Sequence, residues 1–83
     1  MTSELSKIER AILEILAGYP EEEIPGRELR GLLSSRGFRR TAPALVFTMM
    51  RLEDKGLASC REEARVFDGV EIRERFYSRK IRW

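Results

Sequence analysis

Leu5, Ile8, Ile12, Ile15, Leu16 and Tyr19 recur at the spacing of one helix face, with Glu9, Arg10 and Glu14 on the other side. This pattern predicts a first amphipathic helix over about residues 4–18. Ser6 with Glu9 fits a capping box, Ser3 is an equal alternative as the cap, and Gly18 and Pro20 close the segment. Ile24-Pro25-Gly26 then introduces Leu29, Leu32 and Leu33, predicting a second helix over about 26–36 that ends at Gly37. Thr41 can cap a third helix over about 42–55, where Pro43 is tolerated because the first turn lacks intrahelical donors. Leu45, Met49 and Leu52 form its inward stripe, and Gly56 ends it.

From Leu57 the period changes. Val66-Phe67, Asp68-Gly69 and Val70-Glu71-Ile72 read as strand, turn and strand, since an Asp-Gly pair supplies the two positive φ angles that a tight hairpin turn needs. The arms are expected over about 57–67 and 70–82, the second carrying Phe76, Tyr77, Ile81 and Trp83. Tyr77 is expected in the core, and Trp83 either there or in a subunit contact. The fold class is therefore α+β, three helices followed by a long β-hairpin, and 83 residues suffice for one domain around one small core.

Composition sharpens the picture mostly by exclusion. With 42% apolar and 36% charged residues the chain is globular but carries a heavily charged surface. No apolar run nears the ~20 residues of a membrane span, and the start lacks a secretory pattern, so a cytoplasmic protein with no membrane partner is expected. Cys60 stands alone and reads as a strand packing residue; without histidine a Cys/His zinc site cannot be assembled. No Gly-rich phosphate loop or nucleophile elbow is present, and Glu21-Glu22-Glu23 reads as solvated charge rather than a cation site. A binding protein is expected, not an enzyme, with no cofactor and no metal.

Charge is unevenly spread. Residues 1–26 carry a net −4 and residues 27–83 a net +6, and Arg36, Arg39 and Arg40 fall within five positions just before the third helix. Such an asymmetry suggests a polyanionic partner. On the hairpin, Glu62, Glu63, Glu71 and Glu74 are expected to pair with Arg61, Arg65, Arg73 and Arg75 across the strands.

The run Thr41-Ala42-Pro43-Ala44-Leu45-Val46, then Arg51-Leu52-Glu53-Asp54-Lys55-Gly56-Leu57, and the later Arg73-Glu74-Arg75-Phe76-Tyr77 resemble PadR-type winged helix-turn-helix transcriptional regulators. The resemblance spans about residues 24–81, although "RLEDKGL" is shared by many winged-helix families. It implies binding of double-stranded DNA, with helix 42–55 in the major groove and the hairpin as a wing along the backbone. On that analogy Arg39 and Arg40 hold phosphates, Thr41 contributes its hydroxyl or the helix N-terminus, and Ala42 and Ala44 permit close approach. Arg51 lies on the exposed side, Phe47 touches a thymine methyl, and Arg27, Arg65 and Arg73 are further phosphate contacts. PadR-type proteins dimerise through a long helix after the wing; this sequence shows none, so a homodimer would need another surface. Val46, Phe47 and Met50 stand where polar base readers are usual. Burial of Phe47 and Met50 beneath another segment or subunit, or a protein partner docked on them, is the alternative reading.

Overall fold

The computed structural model describes residues 5–20 and 22–79. Ser3, Glu21, Ile81 and Trp83, together with the expected beginning of the first helix at residue 4 and the expected end of the hairpin over 80–82, lie outside them. Along the described chain run α1 (Lys7–Ala17), β1 (Ile24–Pro25), α2 (Gly26–Ser35), α3 (Ala42–Asp54), β2 (Ala58–Phe67) and β3 (Val70–Arg79). The three helices pack with a three-stranded antiparallel sheet in the order β1-β3-β2.

Helix ends follow the local chemistry. The Ser6 hydroxyl accepts from the Glu9 backbone N–H at 3.2 Å while Glu9 accepts from the Ser6 N–H at 2.9 Å, a complete capping box, so α1 begins at Lys7. Thr41 Oγ1 accepts from the Ala44 N–H at 3.3 Å and starts α3. Both α2 and α3 end in Schellman motifs. Gly37 and Phe38 donate to Ser34 and Leu33, and Gly56 and Leu57 donate to Glu53 and Leu52, with each glycine left-handed. This places Arg36 at the cap of α2 and Lys55 at the cap of α3, one residue beyond each helix, where continuous helix was expected. Leu57 is likewise spent in the cap, and β2 starts at Ala58.

Ile8, Ile12, Ile15 and Leu16 of α1, Leu29 and Leu33 of α2, and Leu45, Met49 and Leu52 of α3 meet Ile24, Ala58 and Tyr77 of the sheet in one buried cluster. Each leucine, isoleucine or methionine among them taken from water contributes roughly 1.5–3 kcal/mol. Tyr77 is seated against the start of α2 so closely that a Cβ on Gly26 would lie 3.3 Å from its ring. Cys60 is half-buried against the same cluster. Thr48, buried on the inner face of α3, donates its hydroxyl to the Ala44 carbonyl at 3.1 Å.

Two side chains depart from the sequence pattern. Tyr19 falls beyond the end of α1 and is exposed rather than part of the apolar stripe. Glu9, expected on the outer face of α1, is only 4% exposed, because its carboxylate serves both the capping box and Lys55. The strand β1 was not expected. Two residues including a proline carry no alternation, yet Ile24 and Pro25 pair with Tyr77 and Phe76 and tie the start of α2 to the sheet.

Candidate nucleic-acid interface

β2 and β3 pair over their full length, from Ala58 opposite Arg79 to Phe67 opposite Val70. Asp68 at φ 51° and Gly69 at φ 75° close the two-residue turn. Because this hairpin is ten residues long on each side and the helices cover only its base, its outer half stands apart from the core. Between that outer half and the N-terminal ends of α2 and α3 runs a groove of about 690 Å3. Its apolar lining comes from Ala42, Leu45 and Val46 of α3 and from Val66, Phe67, Ile72 and Tyr77 of the hairpin. Arg27 and Arg30 of α2 and Arg65, Arg73 and Arg75 of the hairpin line it as well, with Glu74 the acid among them.

Arg27, Arg65 and Arg73 thus come together around one groove. Arg30 and Arg75 join them, although neither was assigned to the interface from the sequence. Arg30 follows Arg27 by three positions and so shares its helix face, a signal that was legible; Arg75 is brought in by the sheet register. The groove arginines are partly compensated. Arg27 Nε is 3.8 Å from Glu74, Arg65 reaches Glu63 and Glu74 at 3.6 and 3.8 Å, and Arg73 lies 3.2 Å from Glu62 and 3.8 Å from Glu71. Arg65, Arg73 and Arg75 thus find Glu74 or Glu62 across the strands as expected, whereas Glu63 and Glu71 pair only within their own strands and Arg61 turns to Glu63 and, outside the hairpin, to Glu23. Exposed ion pairs of this kind contribute little to stability.

The arginines before α3 divide. Arg36 Nη1 lies 2.7 Å from Glu14 on α1, so a carboxylate distant in sequence neutralises it, and it does not act with its neighbours as one unpaired cluster. Arg39 and Arg40 sit exposed in the connection between α2 and α3, and among the described residues neither is paired with a carboxylate. Arg40 donates only to the Arg39 carbonyl, at 3.1 Å. Thr41 follows at the N-terminus of α3; its oxygen caps the helix, leaving its proton free to donate. Ala44 is half-buried in the first turn.

Phe47 and Met50 are 68% and 50% exposed, so within this chain no described segment buries them. Arg51, also exposed, lies on the same outward face of α3 and has no acidic partner among the described residues. Val46 turns instead to the groove. Among the described residues no helix is long and apolar enough to cross a membrane.

The chain matches no protein-family model and no curated protein sequence.

Proposed function

We propose that the chain is a winged helix-turn-helix protein that binds duplex DNA and acts in the cytoplasm as a small transcriptional regulator, by binding rather than catalysis. In this reading α2 and α3 form the helix-turn-helix, α3 enters the major groove, and the β2–β3 hairpin is the wing. The order of elements and the β1-β3-β2 sheet are compatible with that architecture. The observation that carries the functional reading is the placement of the cations. Among the described residues Arg39 and Arg40 have no acidic partner; they immediately precede α3, whose first turn lines the groove that gathers Arg27, Arg30, Arg65 and Arg73. Phosphates passing along this line would meet guanidinium groups on both sides, with the α3 N-terminus and the Thr41 hydroxyl between them. Titration of random-sequence duplex DNA across a salt series, read by fluorescence anisotropy, tests the reading. Affinity that falls steeply as salt rises supports it, and no binding at low salt rejects it.

The exposure of Phe47 and Met50 favours a second reading, in which the outward face of α3 docks a protein. On DNA, Phe47 would instead meet a thymine methyl. Phe47→Ala should abolish a protein contact but only weaken duplex binding.

A further inference from the structure

β2 is an outer strand of the sheet, and one edge of its ten residues meets no other described strand. A long open edge is a template for another strand unless its side chains oppose the pairing. The two-residue turn makes Phe67 and Val70 a hydrogen-bonded pair, and such pairs alternate down the ladder. Phe67, Arg65, Glu63 and Arg61 therefore turn their peptide groups toward β3, while Val66, Ala64 and Glu62 turn theirs outward.

We propose that β2 pairs antiparallel with β2 of a second copy of this chain, about a two-fold axis through Ala64, joining two three-stranded sheets into one of six. Charge selects this register. With Ala64 on the axis, where a residue must face itself, Glu63 comes opposite Arg65 of the second copy and Arg65 opposite its Glu63. Both pairs fall at non-hydrogen-bonded positions, where side chains are closest. Axes at 62, 63 or 65 would set Glu62, Glu63 or Arg65 against its own copy, and an axis at Val66 would leave only residues 65–67 to pair, since β2 ends at Phe67. The same register sets Phe67 opposite Arg61 of the second copy. Phe67 is 68% exposed in the single chain, and the Arg61 guanidinium already lies 4.7 Å from the centroid of the Phe76 ring. Pairing gives that cation a second aromatic neighbour and the exposed ring a cover. The interface is self-complementary, closes after two copies, and leaves α3, Arg39 and Arg40 free, although Arg65 and Phe67 also line the groove.

Sedimentation equilibrium of the whole chain tests this. The wild type is expected to dimerise, and Glu63→Arg and Arg65→Glu should each associate about tenfold more weakly or worse, since each sets like charges face to face. Mixing the two variants should restore a dimer, because one then presents arginine at both positions of its edge and the other presents glutamate at both. Ala64→Pro should also yield monomer with its circular dichroism unchanged, since the lost N–H points away from β3. A wild type that is monomeric at its highest soluble concentration overturns the proposal. So does a dimer that survives Ala64→Pro and both charge reversals.

Discussion

Lys55 Nζ lies 3.0 Å from Oε2 of Glu9, joining the C-cap of α3 to the first turn of α1 across 46 positions of sequence. The carboxylate also holds the Ser6 N–H, so one buried acid fixes how α1 starts and where it sits on α3. Burial pushes the Glu9 pKa upward, but donation by the Ser6 N–H and by Lys55 outweighs it, and the group titrates below its ordinary 4.5. Removing Lys55 strands a carboxylate that is itself almost fully buried. Lys55→Met should therefore cost about 1–3 kcal/mol in urea unfolding at neutral pH.

The same pair sets an acid limit. Since the folded-state pKa of Glu9 lies below the unfolded value, its stabilisation is complete above about pH 4.5 and is lost as pH falls through the folded value. Thermal unfolding followed from about pH 7 to about pH 3 should show a fall in the acid range that is smaller in Glu9→Gln, which has no carboxylate to protonate.

At Gly26 the close approach of Tyr77 decides the sign of a substitution that helix propensity alone would favour. The ring is only 2% exposed and packed in the core, so giving way to an added methyl would disturb its neighbours. Gly26→Ala should destabilise by about 1–3 kcal/mol in urea, whereas Gly31→Ala, with nothing within 4 Å of the added methyl, should stabilise slightly.

Cys60 should be a sluggish thiol. Burial first, and then the neighbouring Glu53 carboxylate, push its pKa above the ordinary value, so little thiolate exists near neutrality. Alkylation by iodoacetamide at about pH 8 should be several-fold slower in the folded protein than in urea.

The helices and hairpin were legible because each is written in local chemistry. Ser6 with Glu9, Thr41, Gly37, Gly56 and Asp68-Gly69 fix ends and turns within a few residues of themselves. β1 was not legible, since Ile24 and Pro25 become a strand only because Tyr77 and Phe76 lie alongside. Electrostatics divided the same way. The ion pairs of Arg65, Arg73 and Arg75 across the hairpin could be anticipated from strand spacing, but Glu23 reaching Arg61, Glu14 reaching Arg36 and Lys55 reaching Glu9 depend on tertiary packing. Among the site residues, Arg39, Arg40, Thr41 and Arg51 stand exposed around α3 as the sequence suggested; Arg30 was legible from its spacing to Arg27, while Arg75 is brought to the groove only by the sheet register.

The central measurement compares the wild type, Arg39→Glu/Arg40→Glu and Phe47→Ala/Met50→Ala in anisotropy titrations of duplex DNA at several salt concentrations. The arginine variant should lose most of its affinity and reduce the salt slope by about two, whereas the apolar variant should bind more weakly with its slope unchanged. Duplex binding that ignores the charge reversals, or no binding by the wild type at low salt, would contradict the DNA-binding assignment and leave the Phe47 and Met50 face of α3 as a protein contact.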